Sequence, residues 1–222
     1  MKELFKKVSN NDNAKNKGRN IMTKGDTTIL SAREYKCSDG TCAGAETMLS
    51  IKNMYGTIRC MIDDASCVLN GESKRRGMWV LGTDSGTLTI RAIRFKNGKS
   101  GKSNGGGGVG IANVSAAKID IILCVFDSCE ATNQPPQNLK GGGGILVKGA
   151  TVNIYATRFT GNSAPDGKGK DIRRTGGNVI LHNTVCPSPY SAKTPTRSKY
   201  ENHPHILIYA SIVLDFSNTD AF

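Results

Sequence analysis

The chain has 222 residues, of which 37% are hydrophobic and only 6% aromatic, and its formal net charge is +12. The length suits one domain with ragged ends, and the low apolar content favours an elongated repeat protein over a globule with a single large core. No stretch approaches the roughly 18–20 consecutive apolar residues of a membrane-spanning helix, so no membrane span is predicted. The charge suggests affinity for polyanions, but no nucleic-acid-binding motif accompanies it, and we expect no specific nucleic-acid partner.

The first 30 residues form a basic, polar segment. Lysines are frequent in Met1–Lys24, and the segment has few apolar side chains that a core could bury. Such a composition does not offset the conformational entropy that is lost on folding, so we predict that residues 1–30 are disordered. The segment also has no apolar region typical of a secretory signal peptide. If the protein acts outside the cell or at its surface, its leader is missing from this chain.

Residues 31–186 are predicted to hold β-strand repeats. An early strand is expected at Ile58–Cys60, and four later segments share one pattern. Each begins with two apolar residues that are separated by one residue. A gap of two residues follows, then a third position that is Ile, Cys or Thr, one further residue, and a final Phe or Cys. The four segments are Leu88–Phe95, Ile119–Phe126, Val152–Phe159 and Val179–Cys186.

A shorter β-prone piece precedes each of these segments, so each repeat consists of a strand, a tight turn, a second strand and a looser loop. Alternation of apolar residues sends one set of side chains inward, and the two-residue gap marks the place where the chain turns a corner. Stacked repeats then bury their apolar stripes against each other. The pieces that precede the segments are Met78–Gly82, Gly108–Ala112, Gly144–Lys148 and Asp171–Arg173.

This pattern predicts an all-β fold, a right-handed parallel β-helix, with a stacked β-sandwich as the alternative. Nine side chains are expected to point inward and stack in columns, with the three phenylalanines in one column. The nine are Leu88, Ile90, Phe95, Ile119, Ile121, Phe126, Val152, Ile154 and Phe159.

Six of the seven cysteines fall in close pairs, which are Cys37/Cys42, Cys60/Cys67 and Cys124/Cys129. Local disulfides would suit a secreted protein, and buried thiols are the alternative. Cys124 and Cys129 occupy inward positions of the repeat, which favours buried thiols for this pair. Cys129 aligns with Asn162, whose side chain is expected to hydrogen-bond the backbone of a neighbouring repeat.

Residues 187–222 end the chain differently. Their first part is rich in Pro, Ser and Thr and is predicted to be a loop. The apolar stretch Ile206–Phe216 is expected to pair as a terminal strand or to cap the repeats.

Two features of the repeats resemble a known family. Gly141–Ile145 followed by Phe159-Thr-Gly-Asn162, with a weaker copy in Gly105–Val109 and Phe126–Cys129, resembles the repeats of chlamydial polymorphic outer membrane proteins. More broadly, these repeats are similar to the pectate-lyase-like β-helix superfamily. That resemblance implies a right-handed parallel β-helix and, for the lyases of the superfamily, calcium bound by Asp with an Arg or Lys base. The outer-membrane role is not carried over, because neither the membrane barrel nor the export signal of that family is recognisable in this sequence.

Two other motifs are rejected as functional sites. Gly98–Ser103 resembles a phosphate-binding loop but lacks the required earlier glycine and a following helix, so a loop between repeats is expected. The histidines His182, His203 and His205 have no carboxylate cluster near them in sequence, so we predict neither a metal site nor a cofactor.

Five polar residues stand at outward positions of the repeats. Thr89, Asp120 and Asn153 are equivalent to one another, while Arg94 and Arg158 share a second column that Val125 interrupts. One acid and two separated cations give weak support to acid–base chemistry, so no catalytic residue is assigned. We expect the five side chains to project from one face and to bind an acidic polysaccharide through hydroxyls, amides and guanidinium forks.

The sequence therefore favours a non-enzymatic surface, adhesion or carbohydrate-binding module. A polysaccharide lyase, hydrolase or epimerase is the first alternative, and a truncated repeat fragment with no independent activity is the second. The fold alone does not choose among them, because one fold hosts many functions.

Overall fold

The computed structural model describes the central part of the chain and one short strand near its end. Every regular element in this part is a β-strand, and it contains no helix. The residues described are Gly25, 27–36, 46–52, 55–82, 86–100, 105–112, 118–132, 141–165, 169–184 and 211–213.

The described residues form fifteen strands, most of them three to six residues long. They are β1 (Thr27–Leu30), β2 (Glu34–Lys36), β3 (Thr47–Lys52), β4 (Gly56–Cys60), β5 (Cys67–Asn70), β6 (Arg76–Leu81), β7 (Thr87–Arg91), β8 (Ile93–Lys96), β9 (Val109–Ala112), β10 (Lys118–Ile122), β11 (Val125–Asp127), β12 (Ile145–Tyr155), β13 (Arg158–Thr160), β14 (Ile172–His182) and β15 (Ser211–Val213).

Except for β15, each strand of the described part pairs in parallel with the equivalent strand one turn of the chain away, which makes the molecule a parallel β-solenoid of about 4 turns. We call each turn a rung. In sheet A, β1, β4, β7 and β10 lead to the C-terminal half of β12, and β3, β6 and β9 lead to its N-terminal half. β14 pairs with both halves of β12, and β15 pairs with β14. Sheet B contains β2, β5, β8, β11 and β13 in spatial order. The predicted solenoid is confirmed, while its right-handed sense stays a prediction that the usual hand of parallel crossovers supports.

A column of aromatic side chains fills the interior behind sheet B. Phe95, Phe126 and Phe159 are register partners and are completely buried. Their ring centroids lie 4.9 and 5.0 Å apart, with interplanar angles of 14° and 9°. The spacing follows the distance of about 4.8 Å between paired strands, so each ring stacks on the next. The predicted phenylalanine column is confirmed.

Aliphatic side chains form the corresponding columns behind sheet A, and their predicted inward orientation is also confirmed. Leu88, Ile119 and Val152 are register partners, as are Ile90, Ile121 and Ile154, and all six are buried.

The corner between sheets A and B is made by single residues in the left-handed region. Ala92, Leu123 and Ala156 have φ values of 55°, 54° and 44° and occupy the second position of the predicted two-residue gap. A positive φ breaks the alternation of a strand, so the chain can leave one sheet and enter the next with the following side chain inward. The gap in the sequence pattern therefore marks a real corner.

The runs of glycine are required for close packing between rungs. A Cβ atom added to Gly108 would lie 2.5 Å from Cδ1 of Phe126 and 2.7 Å from the carbonyl oxygen of Gly144. One added to Gly105 would lie 1.9 Å from the carbonyl oxygen of Gly141. The sequence suggested turns at these runs, whereas the structure adds that backbones meet there and leave no space for a side chain.

The cysteines follow two different arrangements. Cys124 and Cys129 are buried free thiols, as predicted, while Cys60 and Cys67 form a disulfide with Cα atoms 5.5 Å apart. The predicted role of Asn162 is confirmed, because its Oδ1 accepts a hydrogen bond of 2.9 Å from the backbone N–H of Cys129 on the preceding rung. Cys37, Cys42 and Cys186 lie outside the described residues.

Two features of the strand boundaries differ from the prediction, and one agrees with it. β1 begins at Thr27, inside the segment 1–30 that was predicted to be disordered, because Leu30 pairs with Cys60 and is buried in the first rung. β12 and β14 continue through positions where a turn was expected, and a register shift at Val147 and Lys148 accommodates the bend. The predicted terminal strand is present at β15, which pairs antiparallel with β14. Residues 1–24 and 185–210 are not among the residues that the structure describes.

Candidate carbohydrate-binding surface

Three of the five predicted site residues form one column on the outer surface of sheet A. Thr89, Asp120 and Asn153 are consecutive register partners on β7, β10 and β12. Each lies between two inward apolar residues of its strand, so the alternation of the strand directs its side chain outward. The sequence therefore positioned this column correctly.

Asp120 is the only acid of this column, and each of its two carboxylate oxygens contacts a neighbouring side chain. Asn153 donates a hydrogen bond of 2.7 Å from its Nδ2 to Oδ1 of Asp120. Lys118, two residues earlier on β10, places its Nζ 3.8 Å from Oδ2 of Asp120. The Asp120 side chain is only 16% exposed, and Asn153 is buried, so the centre of this column is an ordered polar cluster.

The two predicted arginines lie on sheet B, where Arg94, Val125 and Arg158 are register partners. Arg94 places its Nη2 2.6 Å from Oδ2 of Asp127, so its charge is largely compensated. Arg158 is exposed, and among the described residues its guanidinium forms no ion pair. Arg158 is thus the better placed of the two for an external anion.

The five residues do not share one flat face, which corrects the expectation. Thr89, Asp120 and Asn153 lie on sheet A, and the arginines lie on sheet B beyond the corner formed by Ala92, Leu123 and Ala156. A ligand that contacts both groups has to follow the surface around this corner. The expectation was wrong because the inward and outward pattern does not report the direction in which each sheet faces.

A neighbouring outer column of sheet A was missed in the sequence. Arg91, Ile122, Tyr155 and His182 are register partners there. The rings of Tyr155 and His182 stack with centroids 4.3 Å apart and an interplanar angle of 9°. Arg91 forms a two-point contact with Asp63, at 2.9 and 2.6 Å, and this hydrogen-bonded cation lowers the pKa of the Asp63 carboxyl. The column places the rings of Tyr155 and His182 beside the polar cluster around Asp120. The sequence alone did not show this, because the pairing of the strands decides which residues become neighbours.

A second missed feature is a buried arginine on β6. Arg76 is 5% exposed, and its guanidinium lies 4.3 Å from the centroid of the Trp79 ring. Its Nε and Nη2 donate to the carbonyl oxygens of Gly106 and Gly105, at 2.8 and 3.1 Å. Burial lowers the pKa of Arg76 to about 10, against the opposing effect of Glu46. These contacts orient the glycine run of the next rung, which is a structural role.

An open groove of about 470 Å³ lies beside sheet B, where Lys99, Glu130 and Ser163 form a row of isolated parallel bridges. Lys99 places its Nζ 3.0 Å from a carboxylate oxygen of Glu130. Thr132 lines the same groove and donates through its hydroxyl to the carbonyl oxygen of Ser100, at 2.8 Å. The groove is open and lined mainly by polar side chains.

The described residues contain no group of three or more His, Cys, Asp or Glu side chains that could hold a metal ion. Within the same part of the chain, no helix has the length and apolarity to cross a membrane. No known family model matches this chain, and neither a curated protein nor a solved structure shows significant similarity to it.

Proposed function

We propose that this protein is a non-enzymatic carbohydrate-binding module, of the surface or adhesion type, that binds an acidic polysaccharide along its rungs. The observation that carries the proposal is the in-register column of Thr89, Asp120 and Asn153 on sheet A, together with the cation Arg158 beyond the corner on sheet B. Paired strands repeat every ~4.8 Å, so the column places the half-buried Thr89 hydroxyl and Asp120 carboxylate at this interval, with the buried Asn153 amide holding Asp120 in place. A chain of sugar units presents its own polar groups at regular intervals.

The charge of the molecule supports an acidic ligand. The formal net charge is +12, and Arg158 offers a guanidinium that can bind a carboxylate through two parallel hydrogen bonds. Arg94 contributes by exchanging its contact with Asp127 for the ligand. Because these contacts are close to solvent, salt is expected to weaken binding.

The environment of Asp120 favours binding over catalysis. Glycosidases use two carboxyl groups at set separations, and the register partners of Asp120 are Thr89 and Asn153, which are not acids. Its carboxylate is also held by the amide of Asn153. We therefore prefer the binding module to a polysaccharide lyase, hydrolase or epimerase.

The finer classification belongs to the same proposal. The Gly-Gly-Gly-Gly-Ile and Phe-x-x-Asn pattern supports membership of the pectate-lyase-like β-helix superfamily, with repeats like those of chlamydial polymorphic outer membrane proteins. The Cys60–Cys67 disulfide supports an oxidising, extracellular or cell-surface location, because disulfides persist mainly in such compartments.

The test is binding of the full chain to a panel of acidic and neutral polysaccharides, followed by analysis of the products. We expect the acidic polysaccharides to bind, and Arg158→Ala to weaken binding about tenfold, the effect of losing one charged hydrogen-bonding group. The double variant Arg94→Ala/Arg158→Ala should bind more weakly still. Lys74→Ala is the matched control, because Lys74 is an exposed cation in the turn before β6.

Two results would reject the proposal. Equal loss of affinity in Lys74→Ala and Arg158→Ala would indicate a nonspecific charge effect and no defined surface. Shortened or unsaturated products from the wild-type protein would establish an enzyme and favour the lyase, hydrolase or epimerase.

A further inference from the structure

Three side chains meet on the outer surface of sheet B where the first two rungs pair. Lys36 on β2 and Asn70 on β5 are register partners, so their Cα atoms face each other across two adjacent parallel strands. Glu34 lies two residues before Lys36 and therefore on the same side of β2. The register partners Lys36 and Asn70 are 34 positions apart in the chain and are brought together only by the solenoid.

One carboxylate connects the amine to the amide. Oε2 of Glu34 lies 3.1 Å from Nζ of Lys36, and Nδ2 of Asn70 donates a hydrogen bond of 2.7 Å to Oε1 of Glu34. Glu34, a proton acceptor, therefore contacts both a nucleophile and an amide with a potential leaving group.

The Asn70 amide is held in a fixed and polarised state. Its side chain is buried, with 7% of the residue exposed. Its Oδ1 accepts a hydrogen bond of 2.9 Å from the backbone N–H of Glu72 and a longer one of 3.4 Å from Nδ2 of Asn97. Both donors would stabilise the negative charge that develops on Oδ1 when a nucleophile attacks Cγ of Asn70, as in an oxyanion hole.

We propose that Lys36 and Asn70 form an intramolecular isopeptide bond, with Glu34 as the proton shuttle. Nζ of Lys36 passes a proton to Glu34 and attacks Cγ of Asn70. Nδ2 then receives the proton from Glu34 and the bond between Cγ and Nδ2 breaks. The ammonia that leaves takes up the second proton released by Nζ and becomes an ammonium ion. The net change converts a lysine ammonium and a primary amide into a secondary amide and an ammonium ion, with no oxidant, reductant or cofactor.

The reaction depends on the neutral amine of Lys36. The Lys36 side chain is 41% exposed. The charged groups around it are Glu34 on its own strand, Glu72 after β5, and Lys96 on β8, which is the other register partner of Asn70. An alkylammonium has to lose a proton before it can attack, so we expect the rate of bond formation to rise with pH.

The proposed bond would join the first rung to the second on sheet B. The Cys60–Cys67 disulfide already closes the corner between β4 and β5, so the second rung would be covalently fixed in two ways. The proposal is independent of polysaccharide binding, since none of its three residues belongs to the proposed ligand surface.

The test is the intact mass of the full-length protein after prolonged incubation at about pH 9, where more of the lysine is neutral. We expect the loss of one ammonia and, after proteolysis, a branched peptide that joins Lys36 to Asn70. Lys36→Arg keeps the charge but removes the nucleophile, and it should abolish the branched peptide. Glu34→Gln should slow its formation. Lys96→Arg, on the other side of Asn70, is the matched control and should leave the product unchanged.

The design also separates the proposal from a competing reaction. Asn70 precedes Gly71, and an Asn-Gly pair can lose ammonia by attack of its own backbone nitrogen. A mass loss that persists in Lys36→Arg, or one without a branched peptide, would overturn the isopeptide bond. An unchanged mass after incubation would overturn it as well. Circular dichroism of each variant checks that the fold is retained.

Discussion

The central rungs and the N-terminal rungs of this solenoid are held together by different means. In the centre, one side-chain type repeats, and Phe95, Phe126 and Phe159 form a continuous stack. Toward the N-terminus the same column continues with Leu69 and Tyr35, and the stack of phenylalanines ends.

The N-terminal rungs are stabilised by individual bonds between particular residues, whereas the central rungs are stabilised by a repeated stack of one side-chain type. The Cys60–Cys67 disulfide, the hydrogen bond of 3.0 Å from the Tyr35 hydroxyl to the Ser31 carbonyl and the contact of Glu34 with Asn70 all lie in this region. Each rung of a solenoid is stabilised mainly by its neighbours, and a terminal rung has a neighbour on one side only. The comparison teaches that repetition is sufficient in the middle of the stack, while rungs near its end need additional bonds.

The largest expected effect comes from breaking the phenylalanine column at its centre. Phe126→Ala should lower the free energy of unfolding by about 3–5 kcal/mol, because it leaves a cavity between two stacked rings. Urea unfolding measures the change. Val125→Thr, on the outer side of the same strand, is the control and should change stability by less than about 0.5 kcal/mol. Similar effects for both variants would show that the column does not carry the stability of the central rungs.

The next effect concerns the covalent bond of the N-terminal rungs. The double variant Cys60→Ala/Cys67→Ala should lose about 2–3 kcal/mol, because a short disulfide loop restricts the unfolded chain. Ser66→Ala, within the same loop, is the control and should be nearly neutral. Equal stability of the double variant and the wild type, measured by urea unfolding without reductant, would mean that the end rungs do not depend on this disulfide.

A polar bridge between central rungs gives a smaller effect. The Asn162 side chain donates to the carbonyl oxygen of Phe126 at 3.2 Å and to Oδ1 of the buried Asp171 at 2.9 Å, in addition to its bond with Cys129. Asn162→Ala should therefore cost about 1–3 kcal/mol, since it leaves buried polar groups without this partner. Thermal unfolding checks this, with Ser163→Ala on the exposed neighbour as the control. A neutral Asn162→Ala would show that apolar stacking alone holds the central rungs.

The smallest effect is chemical and requires no change of sequence. Burial raises the pKa of both Cys124 and Cys129 to about 12, so almost no thiolate forms in the folded protein near pH 8. We expect neither residue to be alkylated by iodoacetamide until the protein is unfolded, as peptide mapping would show. Rapid labelling of either thiol in the folded protein would mean that the central rungs open locally.

The fold could be predicted because its signal is repeated along the chain. The gap before Ile93, Cys124 and Thr157 indicated a corner, and the structure places Ala92, Leu123 and Ala156 there with positive φ. The alignment of Cys129 with Asn162 likewise predicted a hydrogen bond between rungs. Spacing within the chain determines rung length, and rung length determines which residues become neighbours.

The candidate site was predicted less completely. Thr89, Asp120 and Asn153 were correctly placed in one column, but the position of Arg94 and Arg158 beyond a corner was not foreseen. The pairing of Arg94 with Asp127 joins strands of different rungs, and its partner depends on side-chain rotamers. The stacking of Arg76 on Trp79 is local in the chain, yet nothing in the pattern distinguished Arg76 from an ordinary charged turn residue.

The sequence by itself determined the repeat, the inward columns and the corners, because alternation and its interruption are properties of consecutive residues. Only the tertiary structure decided which polar groups meet, such as Glu34 with Asn70 and Asp63 with Arg91. It also showed why the glycine runs are needed, since the atoms that exclude a side chain at Gly105 and Gly108 belong to the next rung. Contacts between rungs join residues about 30 positions apart, and their identity depends on the register of stacking, which no local pattern specifies.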